Sequence, residues 1–308
     1  MEHDKKILVL LVGPTGVGKS AAALVLAEAI RGEIINGDSM QVYRGFDIGT
    51  DKPSAEARRR IPHHLLDILE ASAQFTAADF VAAAFAAATG ILNRGSVPCV
   101  VGGTGLYIKA LLDGLFAGPG RDPALRARLE DEARTTGPEA LHARLAEVDP
   151  AYAAKIGPRD RVRIIRALEV YAATGEPLSA HFPRTRSRMA EFEILKLGLE
   201  LERGELYRRI EDRVDRMFAG GLVDEVRSLL DAGVDERAAP FKAIGYRRVL
   251  AHLKGEIPFE KAVALTKIDT RHYAKRQLTW FRKMPGFRWL PAGDTAGLID
   301  LARKGLGV

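Results

Sequence analysis

The segment Ile7–Ser20 combines the residue types that bind phosphate. Gly13–Ser20, GPTGVGKS, fits the pattern G-x-x-x-x-G-K-[ST] at every position and follows the apolar run Ile7–Val12. Glycines at this spacing let successive backbone N–H groups point at one anion, and the helix that follows adds its positive end. We expect Lys19 to reach the outer phosphate and Ser20 to bind Mg²⁺. The loop therefore predicts binding of a diphosphate or triphosphate through Gly13, Pro14, Thr15, Gly16, Val17, Gly18, Lys19 and Ser20.

Two further polar residues follow predicted strands. Asp38 lies in the polar turn that ends the strand-like segment Glu33–Ser39, and Thr104 lies in a glycine turn after Val97–Val101. Because the carboxyl ends of parallel strands line the ligand crevice, both side chains are expected near the phosphate loop. Asp38 is interpreted either as a Mg²⁺ ligand or as a base that takes a proton from a nucleophile, with a turn cap as the structural alternative. Thr104 either donates to an anion or caps a helix.

The glycine turn after Val97–Val101 lacks the acidic residue that is usual in phosphate-loop hydrolases, which argues against ATP or GTP hydrolysis. The predicted helix Glu202–Phe218 carries many arginines, and most of them should be solvated. One arginine aimed at a departing diphosphate would neutralise the charge on it. The pattern alone does not choose which arginine has this role.

Strands and helices alternate over the first 115 or so residues, which predicts a doubly wound α/β core. After Gly118–Gly120 the pattern becomes helical and rich in arginine, and a strand pattern returns at Glu191–Leu199. We predict a P-loop NTPase-like parallel sheet core at 1–120 and 191–308, with a mainly helical insertion at 121–190 and a helical C-terminal part. The predicted elements are strands Ile7–Val12, Glu33–Ser39, Ile61–Ile68, Val97–Val101 and Glu191–Leu199, and helices Ala21–Ile30, Thr76–Asn93, Leu106–Leu112, Asp122–Thr135, Glu139–Glu147, Arg159–Thr174, Glu202–Phe218, Val223–Asp231 and Pro258–Lys283.

The composition is that of a globular protein, with 47% hydrophobic and 28% charged residues in 308. Cys99 is the single cysteine, which excludes an internal disulfide and a cysteine-rich zinc site and suits a reducing cytoplasm. No apolar run approaches the length of a membrane span, and the charged segment Met1–Lys6 does not resemble a signal peptide. We therefore expect a cytoplasmic protein that does not enter a membrane.

The net charge of +6 matters because the basic residues are clustered. Arginine and lysine interleaved with aromatic residues suit phosphate contacts combined with stacking on unpaired bases. Any one cluster is also compatible with an ordinary solvated helix face, but three clusters outside the phosphate-binding core favour RNA. The clusters are Arg159, Arg161, Arg163 and Arg166; Lys242, Arg247 and Arg248 around Phe241 and Tyr246; and Arg271, Lys275, Arg276, Arg282 and Lys283 around His272, Tyr273, Trp280 and Phe281.

Taken together, these motifs resemble the bacterial type of the tRNA dimethylallyltransferase (tRNA isopentenyltransferase) family. The resemblance runs from about residue 7 to residue 290, and several separated motifs occur in one order. With Cys99 as the only cysteine, the zinc finger of the eukaryotic members is not expected. The motifs are GPTGVGKS, GDSMQVY, DIGTDKP, PHHLLDI, VGGTGLYIKALLDGL, RALEVYAATG, FKAIGYRR and KRQLTWFRK.

The resemblance implies that N6 of adenosine 37 in the anticodon stem-loop of tRNA attacks C1 of dimethylallyl diphosphate, and that diphosphate leaves. By resemblance, Asp38 is the base, Thr104 and Arg213 contact the diphosphate and the adenosine, and Ser20 binds Mg²⁺. The resemblance also implies a monomer. The family's tRNA contacts fall on Asp38, Ser39, Met40, Gln41, Thr104, Arg126, Val162, Arg163, Ile164, Ile165, Arg166, Lys242, Gly245, Tyr246, Arg247, Lys275, Arg276, Gln277, Trp280 and Arg282.

Three alternatives remain open at this point. A nucleotide kinase shares the α/β core and the loop but leaves the basic C-terminal helices without a role. A prenyltransferase that acts on free AMP or ADP would also leave the basic clusters without a role. A non-catalytic RNA-binding module with a vestigial loop is disfavoured because Lys19, Ser20 and Asp38 are all present.

Overall fold

The computed structural model describes residues 6–116, 118–120 and 122–307. One parallel sheet forms the centre of the fold, and its strand order is β3-β2-β4-β1-β5-β6. The phosphate loop follows β1, which lies between β4 and β5 in the sheet. This arrangement confirms the predicted P-loop-like α/β class. The strands are β1 Ile7–Val12, β2 Gly32–Asn36, β3 His63–His64, β4 Val97–Gly102, β5 Glu193–Glu200 and β6 Arg288–Pro291.

Helices connect and cover the strands. Within the described ranges, no helix is both long enough and apolar enough to span a membrane. Short 3₁₀ helices cover Phe182–Arg184 and Ala239–Lys242. The α-helices are α1 Lys19–Ile30, α2 Ala55–Arg60, α3 Ala77–Asn93, α4 Gly105–Asp113, α5 Pro123–Thr135, α6 Pro138–Val148, α7 Pro150–Ala153, α8 Arg161–Thr174, α9 Leu178–His181, α10 Arg203–Ala219, α11 Leu222–Asp231, α12 Ile244–Leu253, α13 Phe259–Arg282 and α14 Thr295–Leu306.

The chain divides into two compact units. The core unit holds the sheet and comprises the described residues up to Leu112 and from Arg188 onward. The helical unit is Asp113–Ser187 and contains α5 to α9. It has a hydrophobic core of its own, in which Leu141, Leu145 and Ile164 are completely buried.

Strand β1 is covered by helices on both of its faces. Val9 and Leu11 pack with α1 and α14, whereas Leu8, Leu10 and Val12 pack with α3 and α4. Successive side chains of a strand point to opposite faces, so a strand covered on both sides is a continuous apolar run. The sheet is thereby held rigidly, and its carboxyl edge is free to carry polar residues.

One sequence prediction needs correction, and three elements were not predicted. The segment Ile61–Ile68 was predicted as a strand, but only His63–His64 pairs with the sheet. Leu65 and Asp67 adopt positive φ angles, 62° and 54°, which extended strands exclude. The Asp67 carboxylate instead accepts hydrogen bonds from Lys52 and Arg58 in a loop. The sequence analysis also did not predict three elements of the C-terminal part, namely α12, β6 and α14.

Candidate active site

The phosphate loop connects β1 to α1 in the conformation that the glycines predict. Gly16 and Gly18 have φ angles of +81° and +97°, in the left-handed region that side chains disfavour. The Lys19 ammonium donates to the carbonyl oxygens of Gly13 and Pro14 at 2.9 and 2.8 Å. Burial lowers the pKa of Lys19 from 10.5 to about 8. A lysine held in this way can bind an anion strongly, because little water competes for its charge.

Arg213 reaches the loop from α10. Its Nη1 donates to the Thr15 hydroxyl at 2.7 Å, and its Nε lies 3.3 Å from a carboxylate oxygen of Asp51. The Nε atom is buried and has no hydrogen-bond partner among the residues that the structure describes. A guanidinium with unused donor capacity beside a phosphate loop is suited to bind an anion.

Asp38 and Thr104 are brought together by two glycines at the ends of β2 and β4. A Cβ atom at Gly102 would lie 2.3 Å from the carbonyl oxygen of Gly37, so the close approach of these segments requires glycine. The Ser39 N–H donates to the Thr104 hydroxyl at 3.0 Å, and the Met40 N–H donates to one Asp38 carboxylate oxygen at 2.8 Å. In the described part of the chain, the second Asp38 oxygen has no hydrogen-bond partner and is available to accept a proton.

Gln277 and Tyr273 on α13 cover the same site. The Gln277 side chain accepts from the backbone N–H of Thr15 and donates to the carbonyl of Gly103, each at 2.8 Å. It therefore ties the phosphate loop to the turn that carries Thr104. Burial, and then the charge of Asp38, raise the pKa of Tyr273, so its hydroxyl keeps its proton.

The core unit has two neighbouring cavities that share part of their lining. The phosphate cavity, about 390 Å³, contains Lys19 and Ser20, and the larger cavity, about 540 Å³, contains Lys242 and Arg247 at its edge. Both cavities reach the same group of residues, and we call this group the junction. The junction comprises Thr15, Asp38, Thr50, Arg213 and Tyr273. A ligand that spans the junction would place its anionic end on the loop and its reacting atom beside Asp38.

The residues predicted to contact tRNA lie in different environments within the core unit. Gln41 donates to the carbonyls of Thr50 and Asp51. Tyr246 is fully buried, and its hydroxyl donates to Glu225 while it accepts from the Gly49 N–H. Two groups of exposed or half-buried residues stay accessible. Those in the larger cavity are Ser39, Met40, Lys242, Arg247 and Arg276, and those elsewhere on α13 are Lys275, Trp280 and Arg282.

In the helical unit, α8 presents some predicted contacts and buries others. Val162 is 66% exposed, whereas Ile164 and Ile165 belong to the core and leave their side chains no access to RNA. Arg163 pairs with Asp160. Arg126 and Arg166 share the buried carboxylate of Glu169, at 3.2 and 3.6 Å.

The sequence analysis missed several residues of the site. Asp51 lay within the motif DIGTDKP and Tyr273 within a basic and aromatic cluster, but neither was assigned to the site; Asp51 lines the phosphate cavity and Tyr273 belongs to the junction. Arg209 and Arg216 also line the phosphate cavity. Their spacing from Arg213, four residues before and three after, places all three on one helix face and was a detectable signal.

The fold and the site define a P-loop α/β protein in which the phosphate loop faces a carboxylate across a junction, without the acidic residue of the hydrolases at the end of β4. This arrangement suits transfer of a group from a phosphorylated donor to a nucleophile near Asp38.

The chain belongs to the IPP transferase family, whose profile matches residues 41–284. The tRNA dimethylallyltransferase of Geobacter metallireducens is 54% identical over 289 residues, which cover 94% of each chain. The crystal structure of the tRNA isopentenylpyrophosphate transferase of Bacillus halodurans is 40% identical, with a TM-score of 0.73 over 98% of this chain and 97% of the other. A eukaryotic dimethylallyltransferase acting on tRNA has a TM-score of 0.78 at 30% identity, over 97% of this chain and 77% of the other.

Proposed function

We propose that this protein is a tRNA dimethylallyltransferase, and that it transfers a dimethylallyl group from dimethylallyl diphosphate to N6 of adenosine 37 in tRNA. The main support for the proposal is the junction, where the phosphate loop lies opposite the available carboxylate of Asp38. Family membership and the names of the relatives support tRNA as the acceptor. The monomeric state implied by the resemblance and the cytoplasmic location expected from the composition are part of this proposal.

In the proposed reaction, the bond from N6 to C1 forms while the bond from C1 to the diphosphate oxygen breaks. An aromatic amine is a poor nucleophile, and its proton becomes acidic only as the new bond forms. A carboxylate in reach therefore helps late in the step, and the unpaired oxygen of Asp38 is the acceptor for this proton. Arg213, Lys19 and the loop N–H groups stabilise the charge that develops on the diphosphate. Thr104 helps to hold the loop that carries Asp38.

The Ser20 hydroxyl would hold Mg²⁺ together with diphosphate oxygens and water. Such a donor set suits Mg²⁺, which usually binds through few protein ligands and substrate phosphates. Ser20 lines the phosphate cavity beside Lys19, so the residues present fit the ion. Bound Mg²⁺ would neutralise charge on the leaving diphosphate.

The target adenosine must leave the anticodon loop to reach the junction. Unstacking a base costs a few kcal/mol, and this cost favours an unpaired loop over a duplex. Lys242, Arg247 and Arg276 at the edge of the larger cavity would bind the RNA backbone. In the helical unit, Val162, Arg163, Arg166 and Arg126 are the proposed contacts.

Transfer from labelled dimethylallyl diphosphate with Mg²⁺ tests the proposal. An unmodified anticodon stem-loop, a stem-loop with guanosine in place of adenosine 37, and AMP are offered in parallel. Label in the adenosine stem-loop alone is expected. Label in AMP would assign a free-nucleotide prenyltransferase. Turnover of ATP without RNA would assign a kinase, and RNA binding that is indifferent to Lys19→Ala, without any product, would assign a binding module.

A further inference from the structure

The larger cavity has two chemically different walls. Its edge is charged, with exposed Lys242 and Arg247. Its inner end is formed by two core side chains of α10 and two threonines of α13. Val214 is 2% exposed and Met217 is 9% exposed. We call Val214, Met217, Thr266 and Thr270 the cavity floor.

The two threonines of the floor are less polar than their residue type suggests. The Thr266 hydroxyl donates to the Ala262 carbonyl at 2.8 Å, and the Thr270 hydroxyl donates to the Thr266 carbonyl at 2.7 Å. Each hydroxyl proton is thus used within α13. The floor therefore suits a hydrocarbon better than it suits a polar base or a phosphate.

The floor begins next to the junction. Met217 lies four residues beyond Arg213, which is about 6 Å further along α10. The diphosphate would occupy the phosphate cavity, and the adenine would approach from the charged edge. The prenyl tail must therefore point away from both. The floor offers the prenyl tail a buried, apolar surface there, and Val214 follows the junction residue Arg213 directly in the chain.

Different structures lie behind the two α10 side chains. Val214 is backed by the packed core that includes Phe218 and Leu222. Met217 also lines a neighbouring cavity of about 510 Å³, where Ile48 and Pro53 are accompanied by mostly charged side chains such as Asp51 and Arg58. Met217, like Arg213, therefore borders both cavities.

We propose that Met217, supported by Val214, limits the prenyl donor to a single isoprene unit. This inference rests on the proposed function and adds chain-length selection to it. A ten-carbon donor such as geranyl diphosphate would react by the same step, with the bond from N6 to C1 formed, diphosphate released and the N6 proton taken by Asp38. Its second isoprene unit would collide with Met217 and would be excluded.

Competition between dimethylallyl and geranyl diphosphate on the stem-loop tests this proposal, with kcat/KM measured for each donor. In Met217→Ala, we expect kcat/KM for dimethylallyl diphosphate to fall a few-fold, because contacts with the tail are lost. The ratio of geranyl to dimethylallyl transfer should rise by about tenfold or more, the size of effect that a methylene or two has in an apolar pocket. Val214→Ala tests the floor separately and should raise the ratio less, because packed core lies behind it.

Met189→Ala is the matched control, because Met189 is 1% exposed in a different part of the core. It removes the same atoms from a buried methionine and should leave the ratio unchanged. If wild-type protein uses both donors equally, or if folded Met217→Ala and Val214→Ala keep the wild-type ratio while they transfer dimethylallyl, the chain-length proposal is wrong. Failure of wild-type protein to transfer dimethylallyl at all would instead overturn the proposed function.

Discussion

The guanidinium of Arg213 donates a hydrogen bond to the hydroxyl of Thr15, although 198 residues separate them in sequence. The contact joins α10 to the phosphate loop, and Asp51 approaches the same guanidinium from the loop after β2. Three distant segments therefore fix one cation beside the position expected for the departing diphosphate. A cation oriented in advance stabilises developing charge without reorganisation during the reaction.

Arg213→Ala is expected to lower kcat by about 100-fold or more, because removal of one oriented donor has this effect in other enzymes. Thr15→Val keeps the cation but loses its hydrogen bond, so a smaller loss is expected. Arg208→Ala is the control, since Arg208 is exposed on the same helix and pairs with Glu205. Single-turnover rates measure the effect. Equal, small effects of Arg213→Ala and Arg208→Ala would remove Arg213 from the reaction.

Asp38→Asn should lower single-turnover rates by about 100-fold to 10,000-fold, the range of general base catalysis. The amide keeps an oxygen that can accept from the Met40 N–H, so the loop should keep its shape. Affinity for the stem-loop should stay within a few-fold of wild type. Parallel loss of RNA affinity and rate would indicate that Asp38 binds RNA and does not act as a base.

The lowered pKa of Lys19 predicts how donor binding depends on pH. With a pKa of about 8, Lys19 carries its positive charge below pH 8 and loses it as the pH rises above 8. A bound diphosphate favours the charged form, so KM for the donor should rise by up to tenfold per pH unit above pH 8. Lys19→Arg keeps its charge throughout and should give a flatter profile. An identical rise in both proteins would assign the titration to another group.

Gln277→Leu should weaken both substrate positioning and the fold. The change leaves the Thr15 N–H and the Gly103 carbonyl without their partner, at a cost of about 1–3 kcal/mol for each buried group. We expect a lower Tm, a raised KM for dimethylallyl diphosphate and a lower kcat. Thr279→Val on the exposed side of α13 is the control for substitution in this helix. A variant that loses Tm alone would show that Gln277 has only a structural role.

Charge removal on α8 tests RNA binding by the helical unit. Arg163→Gln with Arg166→Gln should weaken stem-loop binding and reduce the slope of log K against log salt by about 1–2, because each phosphate contact contributes about 0.9 to it. Arg134→Gln is matched to Arg163→Gln, since Arg134 has an (i, i+3) ion pair with Asp131 in the same unit. Tm values check that Glu169 tolerates the loss of Arg166. A slope that is unchanged in the double variant would place the RNA elsewhere.

Local sequence determined the parts of this protein that depend on short-range geometry. The run Ile7–Val12 is continuously apolar because the strand is covered on both faces. The loop GPTGVGKS adopts the positive φ angles that its glycines permit. The residues at the strand ends, Asp38 and Thr104, were also placed correctly beside each other, because the carboxyl ends of parallel strands meet at one edge.

Apart from the family resemblance, only the tertiary structure shows which side chains of the helices reach the site. Arg213 was one of several arginines in a charged segment, and only the packing of α10 against the loop directs it to Thr15. Gln277 lay within a stretch predicted to bind RNA, yet it is buried and bonded to two loops. Helical periodicity assigns residues to the faces of a helix but does not state which other element each face packs against. The partners of α10 and α13 lie far away in sequence, so their contacts are fixed by the packing of the whole core unit.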